Sequence, residues 1–148
     1  MKTVLRTLAL VVLCDVGRAS AQAPVCDFFS TTSRLNGRML QPGTTIEALD
    51  ADGVRCGIAQ PRADGSFLIH VYGDDPATPA VDEGAREGET LVWRINGDSP
   101  QSVEWLGNLI GAFHDLRFEN NAAKEMRIDA TTAIEDKTWT DVKQSFRP

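Results

Sequence analysis

The strongest constraint on what this chain can fold into is an alternation of apolar and polar residues, cut by a glycine turn about every ten residues. Phe67, Ile69 and Val71 alternate with Leu68, His70 and Tyr72, and Leu91, Trp93 and Ile95 alternate with Thr90, Val92 and Arg94. Met126, Ile128 and Ala130 repeat the pattern. Side chains of an extended chain point to opposite faces with period two, so these runs specify strands that bury one face. Pro42-Gly43, Asp52-Gly53, Asp64-Gly65 and Asn96-Gly97 supply the reversals, because glycine takes the positive φ that a tight turn needs. Cys26 and Phe28 share one face of a first strand, Thr44 to Leu49 forms another, and Val54, Cys56 and Ile58 share a face of the strand returning from Asp52-Gly53. The expectation is an all-β fold, an antiparallel Ig-like β-sandwich of about seven strands.

Two stretches depart from the pattern. Residues 105 to 121 fit neither period, and they are expected to make an irregular edge crossing with a short strand at Leu116 to Phe118. Val103 and Trp105 are expected to pair across the Asn96-Gly97 turn. Near the C-terminus, Thr138-Trp139-Thr140-Asp141 has the spacing of a capping box, and Trp139, Val142 and Phe146 follow at helical spacing. A short amphipathic helix in a tail of residues 132–148 is expected there, after a single sandwich domain over 22–131.

The start of the chain reads as an address. Lys2 and Arg6 precede the apolar run Leu8 to Cys14, and Ala19-Ser20-Ala21 has the small residues of a cleavage site, placing a signal peptide at 1–21 and the cut between Ala21 and Gln22. Acylation of Cys14 is the alternative, disfavoured by the bulk of Leu13. Export makes the chain secreted or periplasmic. No run reaches the roughly 18 apolar residues of a membrane-spanning helix, so the mature chain is expected not to span one. Cleavage removes three bases (Lys2, Arg6, Arg18) and one acid (Asp15), taking the formal charge from −6 to −8. So acidic a chain argues against a nucleic-acid partner, which requires clustered lysine and arginine. Cys26 and Cys56 remain, and an oxidising compartment favours a disulfide between them, with two buried free thiols as the alternative.

Residues 50–57 (Asp-Ala-Asp-Gly-Val-Arg-Cys-Gly), 71–76 (Val-Tyr-Gly-Asp-Asp-Pro) and 82–85 (Asp-Glu-Gly-Ala) leading to Ile95-Asn96-Gly97 resemble modules of secreted prokaryotic surface proteins. Those modules are similar to carboxypeptidase-regulatory-like, or transthyretin-like, sandwiches. The resemblance covers residues 35 to 97 and implies a prealbumin-like sandwich with an adhesive, scaffolding or ligand-holding role and no activity attached.

The loop from Gly73 to Glu89 carries Asp74, Asp75, Asp82, Glu83, Glu87 and Glu89 against the single base Arg86. Carboxylates held close repel one another unless they are solvated or bridged by a cation. Asp74, Asp75, Asp82 and Glu83 are therefore candidate calcium ligands, and a solvated strand connection is the alternative. Asp50 and Asp52 begin like an EF-hand loop, but Gly53 comes too early and the pair is read as a hairpin turn. Tyr72 and Trp105 are candidate platforms for sugar rings, whereas Trp93, in register with Leu91 and Ile95, belongs to the core. His70 shares the face of Tyr72, and a lone histidine is a weak metal ligand. Motifs for a zinc site, a nucleophile elbow, a redox pair or a phosphate loop are absent from the sequence. The leading expectation is thus a non-enzymatic interaction or structural module that meets a protein or glycan partner at the cell surface, with no resident cofactor. A calcium-dependent carbohydrate-binding module is the alternative, and a small hydrolase with an unrecognised site a weaker one.

Overall fold

The alternating runs become strands. The computed structural model describes residues 23–78 and 80–132, and these form two β-sheets with no helix. The expected leader with its Ala21–Gln22 junction and the expected helix over residues 138–146 lie outside the described residues. Nine strands are formed, in chain order: β1 (Val25–Ser30), β2 (Arg34–Leu35), β3 (Arg38–Met39), β4 (Ile46–Leu49), β5 (Arg55–Ala59), β6 (Phe67–Tyr72), β7 (Val92–Ile95), β8 (Ser102–Ile110) and β9 (Ala123–Ala130). β5, β4 and β7 make the smaller sheet and the other six the larger.

The two sheets close on one core, as a sandwich requires. The larger sheet contributes Cys26, Phe28, Ile69, Val71, Met126 and Ile128, the smaller Ile46, Ala48, Trp93 and Ile95. Phe28 meets Trp93 edge to face, with ring centroids 5.1 Å apart at 75°, which places the expected core tryptophan across the interface between the sheets. Asn36 and Gly37, at φ 54° and 73°, turn β2 into β3 in the left-handed conformation that two-residue hairpins use.

Four expectations are corrected. Among the described residues the strands number nine, and they are not all antiparallel: β9 runs parallel to β1 and to β2 while pairing antiparallel with β8. Parallel pairing needs a long crossover, and the whole domain supplies it between β1 and β9. Residues 105 to 110 are strand, the continuation of β8, and irregular chain begins only after Ile110. Their period is hidden by two bulges, between Trp105 and Gly107 and between Asn108 and Ile110. Near Leu116 to Phe118 there is a single bridge, Arg117 to Thr90. Val103 and Trp105 pair with Ile128 and Met126 of β9, because the chain changes sheets after Asn96-Gly97. Finally, β5 pairs Gly57 with Ala48 and Arg55 with Leu49, so Cys56 is an extra residue. That bulge leaves Cys56 buried but turns Ile58 outward, to 54% exposure.

The irregular segment after β8 is held by a lysine with no exposure to solvent. Lys124 points from β9 into the protein, where its Nζ donates to the carbonyls of Asp115 at 3.1 Å and Arg117 at 2.8 Å and lies 3.4 Å from Glu119 Oε2. Glu119 accepts in turn from the backbone N–H groups of Ala112 and Phe113. This arrangement sets Phe118, 1% exposed, into the core. Removing one partner of a buried ion pair leaves the other uncompensated, so Lys124→Met is expected to lower the unfolding free energy by about 3 to 5 kcal/mol. Urea denaturation measures it; a loss below about 1 kcal/mol would show that the segment holds without the lysine.

Candidate functional site

The acidic loop folds back on itself around Arg86. Asp74 Oδ1 accepts from the N–H groups of Glu83 at 2.9 Å and Gly84 at 3.0 Å, and its Oδ2 accepts from Arg86 Nε at 3.2 Å. The same guanidinium reaches Asp82 at 3.5 Å and lies 3.8 Å from Asp52. Arg86 N–H donates to Glu89 Oε2 at 2.7 Å, and Glu89 Oε1 accepts from Ala51 N–H at 3.2 Å, which ties the loop to the β4–β5 turn. Gly84 permits the fold-back, since a Cβ there would collide with the carbonyl of Tyr72. Asp50, 2% exposed, accepts through Oδ1 from the N–H groups of Asp52 and Val54, which makes it the turn residue expected.

The four candidate calcium ligands are thereby divided. Asp74 and Asp82 converge on a guanidinium, Asp75 accepts from Ala77 N–H at 2.8 Å, and Glu83 accepts from the Thr78 hydroxyl at 2.9 Å. Among the described residues no group of three or more His, Cys, Asp or Glu side chains is arranged to hold a metal ion. The cation at the centre of this loop is Arg86.

The two carboxylates beside Arg86 feel opposite fields. Hydrogen bonds from Glu83 and Gly84 N–H and from Arg86 hold Asp74 below the usual carboxylate range, although partial burial opposes them. Asp82 is pushed up, by desolvation first and then by the charges of Asp74 and Asp50. A carboxyl with a depressed folded-state pKa adds stability above its unfolded value of about 4, lost as pH falls through the folded value. A raised one has the opposite sign, because ionisation there works against the folded state. Asp74→Asn is therefore expected to lower the thermal midpoint near pH 7 and Asp82→Asn to raise it, both differences shrinking toward about pH 3. Thermal melts of the two variants at both pH values check this.

Tyr72 and Trp105, the candidate aromatic platforms, stand at different edges. Among the described residues β6 pairs only with β1 and β8 only with β9, so β1 and β9 lie between them. Tyr72 is 51% exposed on the outer face. Antiparallel pairing of β1 with β6 sets Val25 opposite Tyr72 and Asp27 opposite His70, and His70 Nδ1 lies 2.6 Å from Asp27 Oδ1. Asp27 was not legible as a partner of His70, since only the β1–β6 register brings them together. His70 and Tyr72 line two clefts, one of about 300 Å³ shared with Arg55, Cys56, Gly57, Ile58 and Leu68, the other of about 340 Å³ shared with Ala23, Val25 and Asp27. Trp105 is less available: its ring stacks on His114, with centroids 5.5 Å apart, and its Nε1–H donates to Asn108 at 2.8 Å.

The β8 edge carries a feature the sequence concealed. Each bulge sets two β8 residues against one of β9, Leu106 with Gly107 against Glu125 and Leu109 with Ile110 against Ala123. Glu125 and Ala123 belong to the outward set of β9, opposite in sense to buried Lys124 and Met126. Leu106, Leu109 and Ile110 are consequently exposed on that face, at 42%, 75% and 63%.

No bridge joins Cys26 and Cys56; both are buried free thiols. Cys56 Sγ donates to the carbonyl of Val54 at 3.3 Å and feels Asp50, whereas Cys26 feels Glu119 and Lys124. Burial pushes the Cys26 thiol up to about 11 and the Cys56 thiol up to about 12. Thiols that stay protonated and buried are poor nucleophiles. The chain from Gln22 onward is expected to resist a small alkylating reagent near pH 7 and to gain two adducts in urea without reductant, as intact mass will show.

The geometry defines a two-sheet all-β protein with an outward apolar row at one edge and a pair of clefts at the other. No family model, curated protein or solved structure matches the chain. Among the described residues no helix is long and apolar enough to cross a membrane.

Proposed function

We propose that this protein is a non-enzymatic interaction module, exported from the cell and acting at its surface by holding a partner protein. The observation that carries the reading is the row Leu106, Leu109 and Ile110 on the outer face at the β8 edge. Apolar side chains grouped in this way are costly to leave in water and mark contact surfaces in soluble proteins. The bulges that expose the row also distort the outer edge of β8, unpaired among the described residues, and so blunt it against indiscriminate strand pairing. Contact is therefore made through side chains on the face rather than through an added strand. The leader-like start of the sequence supports export, and the resemblance of residues 35 to 97 to surface-protein modules supports a holding role.

Placing two charges in the row should remove the contact and spare the fold, because both positions are exposed. The double variant Leu109→Lys/Ile110→Lys is expected to reduce retention of the labelled mature chain on isolated cell envelope by about tenfold or more. Its urea midpoint should match that of the parent. Equal retention by the two proteins would remove the β8 face as the contact surface.

A further inference from the structure

The seam between the two sheets holds a second surface, independent of the β8 row. Edge strands β5 and β6 approach there without pairing, closely enough that a Cβ on Gly57 would lie 2.7 Å from the carbonyl of His70. A groove runs along the contact, and the outward side chains of β6 form its ridge, with one cleft on each side.

We propose that this seam binds a neutral oligosaccharide, laid across the Tyr72 ring and reaching into both clefts. The apolar part of the surface suits sugar rings: Tyr72, Leu68 and Ile58 are 51%, 40% and 54% exposed and present one aromatic face with aliphatic flanks. The polar part suits hydroxyl groups. Tyr72 offers its phenol, His70 keeps one ring nitrogen beyond the one facing Asp27, and Arg55 uses a single N–H on Glu47 at 3.2 Å and retains the others. The charged groups beside the groove already have partners, because Asp27 lies 2.6 Å from His70 Nδ1 and Arg55 lies 3.2 Å from Glu47. A groove whose charged groups are already paired gives an ionic ligand little advantage over a neutral one.

The two clefts share His70 and Tyr72, so a ligand of several rings gains contacts that a single ring cannot make. The residues stand on strands rather than on a mobile loop, which reduces the ordering cost of binding. Nothing in the arrangement calls for calcium, and the acidic loop takes no part in it.

Calorimetric titration of the mature chain in excess EDTA with maltohexaose, cellohexaose and hexa-N-acetylchitohexaose tests the assignment. At least one is expected to bind saturably, with the disaccharide of that series weaker by about tenfold or more. Tyr72→Ala should weaken binding by about tenfold or more, and Tyr72→Phe, which keeps the ring, by much less. Saturable heat from none of the three would overturn the proposal, as would equal binding by Tyr72→Ala. Binding that survives Tyr72→Ala but falls in Leu109→Lys/Ile110→Lys would also overturn it, by moving the sugar to the β8 edge.

Discussion

A charged side chain in the interior organises the part of this protein that lacks regular structure. Lys124 is completely buried, and its Nζ is compensated by two backbone carbonyls and the carboxylate of Glu119. An uncompensated buried charge is costly, so residues 111–119 are confined to conformations that keep those acceptors on the amine. The constraint propagates from there. Phe118 enters the core against Gly73, Phe118 N–H donates to the Glu89 carbonyl, and Gly88 N–H donates to the Phe118 carbonyl. The crossing and the end of the acidic loop thus share one anchor, and β9 supplies it.

Bulges are the second device that shapes the molecule. One extra residue in an antiparallel pair reverses the inward and outward sense of the residues beyond it, without changing composition. At Cys56 this turns Ile58 toward solvent beside the seam, and at Leu106 and Leu109 it aligns apolar side chains on one outer face. The β8 row and the apolar flank of the seam therefore both depend on departures from strand regularity. In the acidic loop, by contrast, the charges are largely consumed internally: Arg86 draws Asp74, Asp82 and Asp52 together, and backbone N–H groups satisfy Asp74, Asp75 and Glu89.

Much of the core was legible in the sequence. Phe67, Ile69 and Val71, together with Trp93, Ile95, Met126 and Ile128, are buried as period two requires, and Asp52-Gly53 makes the hairpin its chemistry implies. The exposed position of Tyr72 was legible for the same reason. That the two cysteines stay free thiols was not, because two cysteines in one chain do not say whether their sulfurs meet. Neither was the partner of His70, because Asp27 lies 43 residues away and meets it only through strand register.

The sequence by itself determined the all-β class, the turns and most inward-facing residues, because these follow from backbone geometry over a few neighbouring residues. The tertiary structure alone decided that β9 joins β1 and β2 in parallel, that Lys124 is interior, that Arg86 sits among the loop carboxylates and that two clefts meet at Tyr72. Those outcomes rest on contacts between segments far apart in the chain. Their free energy depends on which surfaces fit together, and loop-closure entropy, which grows only slowly with separation, leaves many pairings open to that choice.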